Sequence, residues 1–254
     1  MTQPNPAGQP GAEVVVVGYA AGRVVVRLQL GHGEDPVEAL ARQGWSVTAG
    51  VTPGTDIVRA RGRHTESDPW RIVLDYDVAP RVGGAVRQPP AAPLVRDEGL
   101  SEADVAGAVR RQRVAAYTLC SSEGAVLLTE LSERTNAAGW WTLPGGGLDP
   151  DENVDDGLRR EVWEESGQEV QDIRFLGVVS NHWVGVAPNG VVEDYHAVRL
   201  LHTARCPEPT PPVVHDIGGS TSAVAWVPWA EVEQLPVVAS FAGLVLAAAR
   251  HGRG

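Results

Sequence analysis

The sequence predicts an α/β protein with a small, strand-rich α+β domain in front of it. Runs of β-branched residues recur along the chain, and segments with helical periodicity and their own end signals lie among them. A proline-rich stretch at 89–93 marks a break between the two parts. We therefore expect a flexible tail (1–11), an N-terminal accessory domain (12–88), a linker (89–100) and a C-terminal domain (101–254).

The accessory domain is predicted to contain several strands and one helix. Pro36 suits the first turn of that helix, because a fixed φ and a missing N–H cost nothing there. Gly18 and Gly22 lack a third glycine and a following helix, so they predict a hairpin turn and not a nucleotide loop. His32 and His64 stand alone on predicted loops as ordinary surface histidines. The strands are expected at 14–17, 23–30, 46–51, 56–61 and 71–78, and the helix at 35–43.

The C-terminal domain is predicted to begin with a helix at 101–113. Ser101 and Asp104 have the spacing of a capping box at its start. Arg110, Arg111 and Arg113 would then lie near its end, where they suit the helix dipole as a solvated basic face or reach a phosphate. Further strands are expected at 114–120, 124–130, 140–144, 173–179, 195–202 and 223–227, with a closing helix at 237–251.

The segment 146–168 carries three glutamates on one predicted helix face. Glu161, Glu164 and Glu165 are related by i, i+3 and i+4, which places their carboxylates side by side. Stacked like charges destabilise a helix unless a cation lies between them. Mg²⁺ or Mn²⁺ suits such a set, because these ions take carboxylate oxygens and keep waters for substrate phosphates. The three residues, called the glutamate cluster below, therefore predict a divalent-metal site.

The same helix has its own start and stop signals. Asn153 is placed to cap it, and Gly167 stands where a left-handed terminal residue is usual. Upstream, the predicted strand at 140–144 runs into a turn of three glycines, Gly145–Gly147. Glycines let a backbone carbonyl approach a metal, or backbone amides approach a phosphate.

This segment resembles the Nudix box, G-x5-E-x7-R-E-U-x-E-E-x-G-U, where U is an aliphatic residue. Gln168 departs from the pattern at the last position, which concerns packing after the helix and not the chemistry. The resemblance covers about residues 105–254 and implies an α/β/α sandwich around a mixed sheet. The matching residues are Gly146, Glu152, Arg160, Glu161, Val162, Glu164, Glu165 and Gly167.

The resemblance also implies roles for individual residues. The glutamate cluster and the Gly145 carbonyl would hold Mg²⁺ or Mn²⁺, with Glu161 as a candidate general base. Arg160 would orient a glutamate by ion pairing, for which a forked guanidinium is better suited than an ammonium. Glu152 would close its loop against the glycine turn and help to bind a metal-linked water.

Two questions stay open at the level of the sequence. Many relatives carry a further acidic residue in the loop before the last strand, but 218–223 contains no carboxylate; Asp216 and the pair Glu193 and Asp194 are the alternatives. The substrate-binding residues are equally open. The candidates are the glycine-loop residues Gly146 and Gly147 and the aromatic residues Trp183 and Tyr195, with His182 and His196 beside them. An aromatic residue in this region is equally suited to packing in the core and to stacking on a base.

Composition excludes several classes of function. The net charge is −11 and all 21 fixed positive charges are arginines, which argues against long nucleic acids and anionic membranes and against a catalytic lysine. Cys120 and Cys206 are far apart, so we expect neither a disulfide framework nor a cysteine zinc site. Residues 1–11 lack the features of a signal peptide, and no apolar run reaches the roughly 18 residues of a membrane span, so a cytoplasmic protein is expected.

The sequence thus predicts a metal-dependent pyrophosphohydrolase that cleaves the diphosphate linkage of a small nucleotide, a nucleoside di- or triphosphate or a nucleoside diphosphate joined to another moiety. The alternative is a Nudix module that senses a nucleotide sugar without turnover and signals through the N-terminal domain. The complete glutamate cluster favours the enzyme, and the missing late carboxylate keeps the sensor open. The N-terminal domain is expected to order a homodimer or to cover the active site.

Overall fold

The computed structural model describes residues 13–48, 57–65, 68–85, 94–149 and 152–251. The predicted tail, the proline-rich core of the linker and the end signal at Gly252 lie outside the described residues. So do residues 49–51 and 56, which were expected to belong to strands. Within the described parts, two sheets form, one on each side of the proline-rich stretch.

The first sheet has five strands in the order β2-β1-β5-β3, with β4 paired to β5. β1 and β5 are parallel, while β1 and β2 form the predicted antiparallel hairpin. Its turn lies at Ala21 and Gly22, whereas Gly18, which was expected in the turn, pairs with Val26 within β1. Helix α1 follows β2 and begins at Asp35, whose side chain accepts hydrogen bonds from the amides of Val37 and Glu38. The bounds are β1 Glu13–Ala20, β2 Arg23–Gln29, α1 Pro36–Arg42, β3 Trp45–Val47, β4 Ile57–Thr65 and β5 Asp68–Pro80.

The second sheet has eight strands, mixes parallel and antiparallel pairs, and has the order β13-β8-β7-β12-β11-β6. β7 and β12 are parallel neighbours, and β11 and β12 form a long antiparallel hairpin. β9 and β10 are short additions that pair with β8 and β7. The bounds are β6 Val95–Arg96, α2 Glu102–Gly107, β7 Val109–Ser122, β8 Ala125–Leu131, β9 Trp141–Thr142, β10 Gly145–Gly147, α3 Val154–Ser166, β11 Gln171–Val186, β12 Val192–Arg205, β13 Thr221–Pro228, a 3₁₀ turn Val232–Gln234 and α4 Ala239–His251.

Helices cover the two faces of this mixed sheet. Leu158 and Val162 of α3 are in one buried cluster with Ala116 of β7, while Phe241 and Val245 of α4 belong to a second cluster. Because successive residues of a strand point to opposite faces, β7 can contribute to both clusters. The α/β/α sandwich implied by the resemblance is confirmed.

The predicted helix at 101–113 is wrong in its second half. The capping box at Ser101 and Asp104 forms, but α2 ends at Gly107 and the three arginines Arg110, Arg111 and Arg113 lie on β7. All of β7 from Val109 to Ser121 pairs in parallel with β12. The helix buries none of its side chains, and the residues after its capping box carry no strong helix signal. Pairing with β12 therefore makes the second half of the predicted helix a strand.

One hydrophobic cluster contains buried residues from both sides of the proline-rich stretch. Leu40 and Tyr76 of the N-terminal part share it with Leu158 and Leu200 of the C-terminal part. β4 also lies against β11 and α3. In the described part of the chain, no helix combines the length and the apolar character needed to cross a bilayer.

Candidate active site

Arg160 is the centre of the charged site on α3. Its Nε and Nη2 atoms donate to the two carboxylate oxygens of Glu152, both at 2.8 Å. Its Nη1 atom donates to Glu161 at 2.8 Å and to Glu164 at 3.3 Å, and Nη2 also donates to the carbonyl of Gly147 at 3.1 Å. One guanidinium thus ties the glycine turn and the loop of Glu152 to two members of the glutamate cluster.

The ion pair between Arg160 and Glu152 shifts the pKa values of both partners so that each stays charged. The hydrogen bond with Glu152 raises the pKa of the Arg160 guanidinium above its ordinary value. Burial opposes ionisation of Glu152, but the hydrogen bond with Arg160, the hydrogen bond with the Asp149 backbone and the charge of Arg160 together outweigh burial. They hold the pKa of Glu152 below its usual range. Both groups are therefore charged at neutral pH.

Glu165 is the buried member of the glutamate cluster. Its Oε2 accepts a hydrogen bond from the amide of Gly145 at 2.9 Å, and its Oε1 accepts one from the hydroxyl of Thr221 at 2.6 Å. Burial nevertheless raises the pKa of Glu165 to about 8, and Glu161 and Asp216 add to the rise. Ionising a buried carboxyl group next to other carboxylates is unfavourable, and a bound cation would supply the positive charge that offsets this cost.

Glu161 lies directly against the glycine turn. A Cβ on Gly146 would be 2.5 Å from Glu161 Oε2, so a residue with a side chain could not occupy this position without displacing the carboxylate. Burial raises the pKa of Glu161, and the neighbouring Glu164 adds to the rise, while Arg160 opposes it. The three carboxylates of the cluster repel one another, and one guanidinium does not neutralise them all. Their oxygens are the ligands that a hard divalent cation takes.

Of the two alternatives for a late carboxylate, the structure brings Asp216 to the cluster. The loop before β13 runs along the end of α3, where the amides of His215 and Asp216 donate to the carbonyl of Glu164 at 2.7 and 3.0 Å. The His215 ring stacks on Trp163 with 4.4 Å between centroids. Asp216 also lines an open groove of about 620 Å³ together with Thr221 and Arg134.

The other alternative lies elsewhere in the fold. Glu193 pairs with Arg111 at 2.6 Å. Asp194 contacts His32 and His182, so neither carboxylate of the pair Glu193 and Asp194 contacts the glutamate cluster. His32, expected as a solitary surface histidine, is only 19% exposed along its side chain and has charged and aromatic neighbours. His64 lies on β4 and not on a loop.

Trp183 and Tyr195 face each other directly on β11 and β12, with 4.7 Å between ring centroids. The Arg199 guanidinium carbon is 5.9 Å from the Trp183 ring centroid. Burial lowers the pKa of the Arg113 guanidinium, but the nearby Tyr195, Tyr117 and Glu161 outweigh burial and raise that pKa. The guanidinium of Arg113 reaches the glycine turn, since a Cβ on Gly147 would clash with it. Arg113 thus connects the aromatic pair to the charged site.

The sequence did not predict that Arg113 lies between the aromatic pair and the charged site. The signal that could have found it is the alternation along β7, but β7 was expected to start only at Val114. His182 and His196, which the sequence grouped with the two aromatic residues, pair with each other on the opposite face of the hairpin.

Gln168, the departure from the box pattern, is buried within a polar network. Its side-chain nitrogen donates to the carbonyl of Ser166 at 3.1 Å and to the hydroxyl of Thr210 at 3.0 Å. Its side-chain oxygen accepts from the amide of Thr210 at 3.0 Å. A satisfied amide therefore replaces the expected aliphatic side chain without leaving a buried polar group unpaired.

Comparison with known proteins places this site in a family. The NUDIX domain description matches residues 109–248. The bovine (Bos taurus) m7GpppN-mRNA hydrolase NUDT17 is 36% identical over 91 residues, which are 34% of this chain and 30% of that protein. The nucleoside triphosphatase NudI of Escherichia fergusonii is 41% identical over 61 residues, which are 24% of this chain and 43% of that protein. The matches thus span less than half the length of these curated relatives.

A crystal structure of a MutT NUDIX hydrolase from Burkholderia pseudomallei superimposes with a TM-score of 0.42 and 26% identity, over 54% of this chain and 97% of the other. The matched family region begins with β7 and ends within α4, so it contains the glutamate cluster, the glycine turn and both strands of the aromatic pair. The chain belongs to the Nudix family.

Proposed function

We propose that this protein is a metal-dependent pyrophosphohydrolase that cleaves the diphosphate linkage of a nucleoside di- or triphosphate, or of a nucleoside diphosphate joined to another moiety. The main support is the complete charged site: Arg160 joins Glu152, Glu161 and Glu164, and Glu165 lies buried beside them. A scaffold or a pure ligand-binding module has no need of all these carboxylates.

Mg²⁺ or Mn²⁺ is the cofactor that these residues fit. The glutamate cluster would hold the cation, together with the carbonyl of Gly145, whose amide is already fixed by Glu165. When bound, such a cation lowers the pKa of a coordinated water and offsets the charge of the phosphates. The raised pKa values of Glu161 and Glu165 support this assignment, because buried carboxylates that resist ionisation gain most from a nearby positive charge.

The residues of the chain would contribute positioning and proton transfer. Arg160 holds Glu161 and Glu164 at fixed places on α3, so the ligands need little rearrangement when the substrate arrives. Glu152 anchors Arg160 and keeps the loop closed against the glycine turn. Glu161 is the candidate general base, since its carboxylate lies against Gly146 and burial raises its pKa.

Arg113, Trp183 and Tyr195 would bind the substrate. The Arg113 guanidinium reaches Gly147 and can neutralise a phosphate oxygen next to the cluster. The tilted rings of Trp183 and Tyr195 offer a face on which a nucleobase can stack. The relatives are a nucleoside triphosphatase and an m7GpppN-mRNA hydrolase, and these names support a nucleotide as the substrate here.

A panel of substrates tests the proposal. The full chain is incubated with nucleoside triphosphates, nucleotide sugars, ADP-ribose and dinucleotides, each with Mg²⁺, with Mn²⁺ and with EDTA, and the phosphate-containing products are measured. We expect turnover of at least one nucleotide class that stops with EDTA. Tight binding of a nucleotide sugar by calorimetry without any product would reject the enzyme and favour the sensor.

A further inference from the structure

Three side chains that the proposed hydrolysis does not use meet between the two parts of the chain. His32 lies on the loop between β2 and α1, His182 on β11 and Asp194 on β12. The Nε2 atoms of both histidines face Asp194 Oδ1, at 3.0 Å for His32 and 2.5 Å for His182. One ligand atom from each residue lies within 4.8 Å of the other two.

The loop that carries His32 is held in place by its neighbours. The carboxylate of Glu34 accepts hydrogen bonds from the amide of Gly31 at 2.8 Å and from Arg42 at 2.5 Å. The carbonyl of Glu34 accepts one from the hydroxyl of Ser180 on β11 at 3.0 Å. Gly33 has a φ of +75°, and a Cβ there would clash with the His182 ring. The loop can therefore approach His182 only because this position is a glycine.

His196 forms the wall behind the three side chains. It is fully buried, and both of its ring nitrogens are used, Nδ1 with Gln112 at 3.0 Å and Nε2 with Ser180 at 2.9 Å. The His32 ring stands nearly perpendicular to it, with 5.5 Å between centroids. His196 is thus a packing partner that orients His32, and not a further ligand.

We propose that His32, His182 and Asp194 form a binding site for a transition-metal cation of the Zn²⁺ class, separate from the glutamate cluster. Two imidazole nitrogens and one carboxylate oxygen make a ligand set that Zn²⁺ uses, whereas Mg²⁺ takes oxygen ligands. With metal–ligand distances of about 2.0–2.1 Å, tetrahedral ligand atoms lie about 3.3 Å apart. The present separations from Asp194 Oδ1, 3.0 Å and 2.5 Å, are shorter than this, so each histidine would move away from the carboxylate by a few tenths of an ångström to about 1 Å.

The position of this site indicates what the cation does. Arg110 lies 3.6 Å from Asp194 Oδ2, so it contacts the oxygen that does not face the histidines. His182 and Asp194 point to the face of the β11–β12 hairpin opposite to Trp183 and Tyr195. A cation here does not touch the proposed substrate. It links the His32 loop of the N-terminal part to the sheet that carries the active site.

Zinc binding by the full-length chain tests the proposal. All proteins carry Glu161→Gln and Glu164→Gln, which removes two ligands of the glutamate cluster, and are stripped of metal with EDTA before dialysis. Zn²⁺ alone is titrated by calorimetry, Co²⁺ alone is followed by its visible absorption, and Tm is measured with and without Zn²⁺. The test variants add His32→Gln or His182→Gln, and the matched control adds His215→Gln.

We expect the parent and the His215 control to bind one Zn²⁺ per chain, to give the absorption of tetrahedral Co²⁺ and to melt at a higher temperature with Zn²⁺. Each test variant should bind Zn²⁺ at least about 10-fold more weakly and lose the Co²⁺ spectrum. A changed circular dichroism spectrum of the metal-free protein would show that His182→Gln disturbs the strand. In that case the zinc affinity of His32→Gln, whose substitution lies on a loop, tests the proposal. No zinc binding by the parent, or equal affinity in His32→Gln and the control, overturns the proposal.

Discussion

Arg160 binds Glu152 with two parallel hydrogen bonds, Nε to Oε1 and Nη2 to Oε2, each 2.8 Å long. The partners are eight positions apart, one on α3 and one on the loop before it, so the pair fixes the loop to the helix. The same guanidinium restrains Glu161 and Glu164. Much of the positive charge that holds the glutamate cluster together in the absence of a cation therefore comes from this one side chain.

Arg160→Lys is predicted to destabilise the protein and to slow it. A lysine ammonium cannot make two parallel bonds to one carboxylate, so Glu152 and the glycine turn lose their common partner. Charge-assisted hydrogen bonds contribute about 1.5–3 kcal/mol each, and because this site is partly exposed we expect a loss of about 1–2 kcal/mol in the free energy of unfolding. Urea unfolding of the metal-free protein measures it.

Arg205→Lys is the matched control for this substitution. Arg205 also pairs with a carboxylate, Asp172, but at 3.5 Å and with both side chains more than half exposed. An exposed pair of this kind contributes little, so the free energy of unfolding should change by less than about 0.5 kcal/mol. Equal losses in the two variants would show that the Arg160–Glu152 pair has no special structural role.

Glu164→Gln is predicted to reduce kcat with Mg²⁺ by at least about 100-fold while the fold stays intact, because it removes one ligand charge but almost no volume. The metal-free protein should melt at or slightly above the wild-type temperature, since one repulsive charge leaves the cluster. Asp156→Asn is the control, because Asp156 lies exposed in the first turn of the same helix. Unchanged turnover in Glu164→Gln would reject its role as a ligand.

The features that the sequence predicted correctly are those set by local chemistry. The end of α3 follows from Gly167, which takes the expected left-handed conformation with a φ of 67°. The spacing of the glutamate cluster then fixes its geometry, because residues three and four apart share one face of a helix. Asn153 is a partial exception, since it stands at the N-cap but its side chain makes no capping hydrogen bond.

The features that the sequence missed depend on contacts between distant parts of the chain. Arg113 belongs to β7 because β12, more than seventy residues later, pairs with it. His32 meets Asp194 across 162 positions. Neither a helical period nor a turn signal contains such information, which arises only when the strands have found their partners.

Trp183→Ala and Arg113→Gln are predicted to raise KM for the nucleotide substrate more than they lower kcat. Stacking of a base on an aromatic ring contributes about 1–3 kcal/mol, so loss of Trp183 should raise KM about 10-fold, and Trp183→Phe should restore most of it. Trp140→Ala is the control, because Trp140 is 46% exposed and contacts neither Arg113 nor the box among the described interactions. If the control raises KM as much as Trp183→Ala, the aromatic pair is not the base-binding surface.

His202 is predicted to make the protein less stable in acid. It is buried beside Phe175, its Nδ1 has no hydrogen-bond partner among the described residues, and burial lowers the pKa of its ring. Above an unfolded pKa of about 6.5, neither state takes up the proton, so this histidine has no effect on stability there. As the pH falls below about 6.5, only the unfolded state is protonated, and the free energy of unfolding decreases by up to about 1.4 kcal/mol per pH unit.

His202→Asn separates this contribution from that of other titrating groups. Asparagine does not ionise, so the difference in free energy of unfolding between wild type and variant should be constant above pH 6.5 and should shift in favour of the variant below it. Urea titrations at half-unit pH steps from 5 to 8 measure this difference. A difference that stays constant over the whole range would show that His202 titrates alike in both states.

Removal of residues 1–88 tests the division into two domains, which stays a prediction. The shared hydrophobic cluster contains Leu40 and Tyr76 from the N-terminal part and Leu158 and Leu200 from the C-terminal part. Because β4 lies against β11 and α3, deletion would expose a face of the sheet and helix that bear the active site. We expect the fragment 89–254 to bind the dye ANS and to melt at least about 5 °C below the full chain, since even 1–2 kcal/mol shifts Tm by this much.

Point variants test the same contacts between the two parts while all strands stay in place. Tyr76→Leu and Leu40→Ala both alter the N-terminal side of the shared cluster, whereas Val24→Ala changes an exposed side chain of the same part. If the two parts form one cooperative unit, the two buried substitutions lower a single melting transition that also carries the loss of nucleotide hydrolysis. Two results would show that the N-terminal part is an independent domain and that the apolar contacts between the parts add little to stability. The first is a fragment that melts like the full chain and does not bind ANS. The second is a set of point variants that melt in two separate transitions and lose activity only in the second transition.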